Sequence, residues 1–247
     1  GTGASIHSML PLSERLRDRF TVVIPDLPGH AGSRADPAFR PTLPAMAAAT
    51  GELLRSLGHA SPAVLLGHSA GAAIAIQLLL DHPAFRPRLL VGLNAALVPF
   101  RGPARVVFPA LAQGLARSRL ATALIARRTA RPGRTRRILR STGTDDLTPA
   151  HVDAYRELAG RPDHVRGVLR MMAHWDLESL FDRLPSLQTQ VLLIAAADDA
   201  AVPLAMQRRA HARMANAKFA VLERGGHLVH ERHPERIEVL LRPLSIR

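Results

Sequence analysis

Five short apolar runs punctuate the chain, at residues 20–24, 63–66, 88–93, 191–195 and 219–222. Each is four to six residues long and almost continuously apolar. That pattern suits strands of a parallel sheet covered on both faces. Elsewhere the apolar positions recur with a spacing near 3.6, which predicts helices over 45–57, 72–80, 204–214 and 234–241. Strands alternating with helices across short connections predict an α/β fold built on a doubly wound, mostly parallel sheet.

The alternation breaks between about Val98 and Arg183, where the pattern is helical and no strand is evident. This stretch is expected to be an inserted helical cap (98–183) on a core made of 1–97 and 184–247. Within it, Thr148 followed by Pro149 reads as an N-cap with proline at the first helical position. No internal repeat or low-complexity tract is visible.

Composition narrows the classes. With 247 residues, 47% of them apolar, the chain can bury one α/β core with an insertion. No apolar run is long enough to span a bilayer. Cysteine is absent, which excludes disulfides and thiol chemistry. The opening Gly1-Thr2-Gly3-Ala4-Ser5 has neither the initiator methionine nor the features of a signal peptide. Further upstream sequence and a cytoplasmic location are the expectations.

The formal charge is +13, and Lys218 is the only lysine. Arg127, Arg128, Arg131, Arg134, Arg136, Arg137 and Arg140 crowd one segment of the cap. A solvated helix face accounts for such a run. Aromatic residues are scarce there and no nucleic-acid motif accompanies them, so nucleic acid is not an expected partner. An acidic protein, a carboxylate-bearing ligand and a membrane contact no more than peripheral stay open.

The sharpest chemical signal is Gly67-His68-Ser69-Ala70-Gly71, between the second apolar run and a helical segment. Strand, Gly-x-Ser-x-Gly, helix resembles the nucleophile elbow of α/β-hydrolases. Both flanking glycines are expected because side chains would clash in so sharp a turn. A serine hydroxyl needs a base within reach, and the base needs a carboxylate to orient it. Asp198 and Asp199 follow the fourth run and His227 follows the fifth, giving the order Ser, Asp, His. Asp199, in Asp-Ala-Ala-Val-Pro, is preferred to Asp198. The amide of Ala70 and, from the first loop, that of Thr2 are the expected oxyanion donors. His68 neighbours the serine without needing a catalytic role. The loop from Asp26 to His30 is expected to serve its own turn chemistry. His230 and His233 are expected at the surface. No zinc motif is present, and neither metal nor cofactor is expected.

With these residues in view, the whole chain resembles the α/β-hydrolases, and within them the BchO type, the magnesium-chelatase accessory proteins of bacteriochlorophyll biosynthesis. The general matches are Gly1-Thr2-Gly3-Ala4-Ser5 with His7-Ser8, Pro25-Asp26-Leu27-Pro28-Gly29-His30 and the serine motif. The more specific ones are Leu93-Asn94-Ala95-Ala96-Leu97 and Met171-Met172-Ala173-His174-Trp175-Asp176-Leu177. Ala31 and Ala196 stand where the family commonly has glycine, and Met9 where tryptophan is common. Gly1 aligns with the glycine of the family's His-Gly loop, so the strand before that loop is not part of this sequence.

The resemblance implies a role in bacteriochlorophyll biosynthesis around magnesium insertion, with chelatase subunits as candidate partners, and no known reaction; the expectation of a serine hydrolase rests on Ser69, Asp199 and His227. The expected substrate is small and apolar, with a tetrapyrrole carrying carboxylates as a candidate. Met171, Met172 and Trp175 of the cap are then expected at the substrate, beside abundant arginine. A non-catalytic porphyrin carrier and a generic carboxylesterase or lipase are the competing readings.

Overall fold

The computed structural model describes residues 1–99, 102 and 104–242. Phe100, Arg101 and Pro103 of the expected cap, and 243–247 of the expected core, lie outside the described residues.

Four strands form one parallel sheet in the order β1 (Val64–His68), β2 (Leu89–Leu93), β3 (Val191–Ala196), β4 (Ala217–Leu222). The register pairs Leu65 with Leu90, Leu90 with Val191, and Leu193 with Phe219. Alternate residues therefore feed opposite layers. Leu90, Val191 and Leu193 pack in the larger core with α2 (Leu43–Ser56) and α3 (Ala70–Asp81). Leu89, Val91, Leu93 and Ile194 pack on the other side with α1 (Leu10–Leu16) and α12 (Pro234–Leu241). α10 (Leu204–His211) joins β3 to β4, and the short α11 (Val229–Arg232) follows the loop after β4.

The first apolar run behaves differently from the other four. Residues 21–27 form no ladder among the described residues, and β1 is an edge of the sheet. A cavity of about 540 Å³ lies along this edge, lined by 20–27 on one wall and by Ser61 to His68 on the other. An apolar run makes a chain fit for a sheet, but only a paired neighbour makes it a strand.

Between β2 and β3 the α-helices of the described residues are α4 (Ala104–Arg117), α5 (Arg119–Thr129), α6 (Pro132–Arg140), α7 (Pro149–Ala159), α8 (Pro162–Ala173) and α9 (Glu178–Arg183), with no strand among them. Thr148 caps α7, its hydroxyl accepting from the His151 amide with Pro149 at the first position. α4 and α5 both pack on α8, which lies over the sheet's carboxyl end.

Candidate active site

Ser69 sits between β1 and α3 with φ 53° and ψ −119°. This is strained backbone for a residue with a side chain, and it is held by hydrogen bonds on both sides. The Ser69 amide donates to the Leu93 carbonyl at 2.9 Å, and its carbonyl accepts from Ala72 and Ala96. The two flanking glycines have different reasons. A Cβ at Gly67 would lie 2.5 Å from the backbone of Gly71 and Ala72. A Cβ at Gly71 would meet nothing within 4 Å, because that position faces the edge cavity. Only the first glycine is sterically required.

His227 reaches the same region from the loop after β4. Its Nδ1 donates to Asp199 Oδ2 at 2.9 Å. Asp199 is almost fully buried, and its other oxygen accepts from the amides of Ala201 (2.8 Å) and Val202 (2.9 Å). Both carboxylate oxygens are thus fixed, and with them the imidazole tautomer that leaves Nε2 as the base. Asp198 points elsewhere: its oxygens accept from the amides of Gly225 and Gly226, shaping the loop that carries the histidine.

Ser69, His227 and Thr2 line one cavity of about 340 Å³. Thr2 lies in the turn closed by the Ala4 amide on the Gly1 carbonyl. Ala70 opens α3, so its amide belongs to the first-turn N–H groups that have no carbonyl within the helix. The outer wall is apolar and comes from the inserted helices: Ile125, Ile138, Leu139, Val165, Val168 and Leu169. The three cap residues expected at the substrate are not part of this wall. Met171 is fully buried in the larger core, Trp175 packs against that core, and Met172 does not reach the cavity. α8 is apolar on two sides, and Met171 lies on the side turned to the sheet.

Asn94 and His68 support the site from within stretches that the sequence singled out without assigning them this role. Asn94, fully buried at φ 43°, donates from Nδ2 to the carbonyls of Gly226 and His227 and accepts from the Ala196 amide. It stitches the ends of β2 and β3 to the histidine loop. His68 donates from Nε2 to the His227 carbonyl at 2.9 Å, and burial holds it neutral, well below its usual pKa.

His230 is completely buried, contrary to the surface position expected for it. Its ring lies 4.2 Å from that of His68, and its Nε2 is 3.0 Å from the Ser8 hydroxyl. Beside it, Glu231 accepts from Ser8 (2.5 Å) and from Tyr155 of α7 (2.6 Å). Burial raises this carboxyl to about 7. His164 of α8 accepts the Ala31 amide at 3.0 Å and lines the cavity together with Gly3, so one side chain of the inserted helices ties the Ala31 turn to the cavity rim. The Asp26–His30 loop makes its own turn, the His30 amide donating to the Leu27 carbonyl, and also packs its buried His30 edge-on against His164.

Known proteins share this fold. The alpha/beta hydrolase family matches over residues 1–238. The magnesium-chelatase 30 kDa subunit of Rhodobacter capsulatus is 43% identical over 241 residues, covering 94% of this chain and 79% of that protein. A thermophilic esterase from Thermogutta terrifontis superposes with a TM-score of 0.77 at 24% identity, over 98% of this chain and 86% of its own. The esterase EaEST from Exiguobacterium antarcticum gives 0.76 at 20% identity, over 97% and 87%. At these identities the two esterases speak to the fold.

Proposed function

The chain belongs to the alpha/beta hydrolase family, and from that membership and the site geometry we propose that it is a serine hydrolase of apolar esters that serves magnesium chelatase. The observation that carries the chemistry is the 2.9 Å contact of a doubly anchored Asp199 with Nδ1 of His227, which lines one cavity with Ser69. In this reading Ser69 Oγ attacks the acyl carbon while His227 Nε2 takes its proton, and the Asp199 carboxylate stabilises the imidazolium. The amides of Thr2 and Ala70 hold the oxyanion. Collapse of the tetrahedral intermediate expels the alcohol, which takes the proton from His227. Water then repeats the sequence and releases the acid. The apolar wall from Ile125 to Leu169 favours a hydrocarbon acyl or alcohol portion. The pathway assignment is supported by likeness to a protein named as a chelatase subunit.

A fluorophosphonate probe tests the chemistry. Labelling of the wild type that is lost in Ser69→Ala supports the hydrolase. No labelling of folded wild type removes it. That same relative's name favours a second reading, a non-catalytic carrier that hands a tetrapyrrole to the chelatase. Titration with magnesium protoporphyrin separates the two: the carrier requires an absorbance change that Ser69→Ala retains.

A further inference from the structure

The three most exposed large apolar side chains among the described residues lie on two neighbouring helices of the insertion. Leu120 is 81% exposed on α5, and Val107 and Leu111 are 62% and 59% exposed on α4. Leu124 continues the α5 stripe one turn beyond Leu120, and Ile138 is exposed on α6. The inner faces of the same helices are committed to packing through Ala112, Ala116, Thr122, Ala126 and Leu139. The outward apolar stripes are therefore not misplaced core.

Along the segment that carries these stripes the charge has a single sign. Between Asp81 and Asp145 the sequence contains no acidic residue. Arg127, Arg128, Arg131, Arg134 and Arg137 are all exposed. Arginine next to outward leucine and valine, on helices lying side by side, is the pattern of an element that rests in a lipid interface. The apolar side chains enter the acyl boundary and the guanidinium groups stay at the phosphates. An acidic protein surface would satisfy the arginines and leave the leucines in water.

We propose that the outer face of α4, α5 and α6 docks on an anionic lipid bilayer. Ile138 is both exposed on this face and part of the Ser69 cavity wall. Docking therefore sets the cavity rim against the membrane, where apolar molecules are concentrated.

The test is flotation of the full chain with phosphatidylcholine vesicles, with and without phosphatidylglycerol. The protein is expected to float with the anionic vesicles only, and less as salt rises. Leu111→Gln/Leu120→Gln/Leu124→Gln and Arg127→Gln/Arg128→Gln/Arg134→Gln should each weaken binding by about tenfold or more. Both should keep the wild-type melting temperature and probe labelling. Ser69→Ala should float like the wild type, so the docking surface stands or falls apart from the hydrolase reading. Absence of flotation with anionic vesicles overturns the proposal. So does flotation that the leucine variant leaves unchanged and polyglutamate abolishes, which would mark an acidic-protein site.

Discussion

The carbonyl of Thr142 accepts the backbone amide of His227 at 3.1 Å. It also accepts the amide of Ala200, next to Asp199. One carbonyl from the turn after α6 thus clasps the two loops that carry Asp199 and His227. The clasp requires backbone to approach backbone. A Cβ at Gly143, whose φ is +81°, would lie 2.3 Å from the Asp198 carbonyl oxygen. Gly143→Ala is expected to push the loops apart, cost about 2 kcal/mol of stability or more, and lower kcat about tenfold or more. Denaturant titration and probe-labelling rates read the two effects.

The adjacent aspartates separate cleanly by partner. Asp199→Asn keeps an acceptor for Ala201 and Val202 but presents the imidazole with an amide, the change that puts a histidine base in the wrong tautomer. A fall in kcat of about 10⁴ with near-wild-type stability is expected. Asp198→Asn retains one oxygen for the Gly225 and Gly226 amides, and should cost about 1 kcal/mol of stability with activity largely kept. Equal losses of activity in the two variants would contradict this division.

Much of this was legible in the sequence because the signals were local. Gly67-His68-Ser69 between two apolar runs of different period leaves few alternatives, and the Asp-Ala-Ala-Val-Pro loop distinguished Asp199 from Asp198. Where sequence fell short, the deciding contact was long-range. Residues 20–24 have a strand's composition and no ladder. His230 precedes a polar Glu231-Arg232 pair that suggests solvent, yet Ser8, 222 residues away in sequence, and Tyr155 bury this turn. Met171 belongs to a helix apolar on two sides, and only packing decides which side meets the cavity. Asn94 stood within a family-like stretch, but its role depends on the carbonyls of a loop more than 130 residues downstream.

Ala31 occupies a left-handed conformation, φ 47°, at the position where related sequences commonly have glycine. A Cβ in this region costs about 1 kcal/mol, and glycine pays part of that back as chain entropy in the unfolded state. Ala31→Gly is therefore expected to stabilise by about 0.5 kcal/mol, a small rise in melting temperature with unchanged labelling. A fall of more than 1 °C would mean that the turn does not hold this conformation in solution.

His164 holds that same turn and shares a cavity lining with Thr2. Burial lowers its pKa, so it stays neutral and keeps Nδ1 free to accept the Ala31 amide. His164→Leu fills the space but loses the hydrogen bond to the Ala31 amide. Since His164 lines the cavity beside the loop that carries Thr2, the loss should fall on kcat, about tenfold to a hundredfold, with KM changed little. An effect confined to KM would show that His164 shapes only the substrate wall.

Glu231 supplies a pH dependence with a definite sign. Its carboxyl is raised by burial from 4.5 to about 7, so between these values the folded protein holds a proton that the unfolded chain has released. Its contribution to stability is complete below about pH 4.5 and is lost as pH rises toward 7, a span worth about 3 kcal/mol. Histidines whose pKa burial lowers, the half-buried His7 and the buried His30, His68 and His230, act in the opposite direction over their own range. They are common to wild type and Glu231→Gln, in which an amide oxygen still accepts from Ser8 and Tyr155. The difference in unfolding free energy between the two proteins isolates the carboxyl. It should move against the wild type from pH 4.5 to 7 and be flat above about 8. A difference independent of pH would place the Glu231 pKa near its ordinary value and break the link between Tyr155 of α7 and a protonated Glu231.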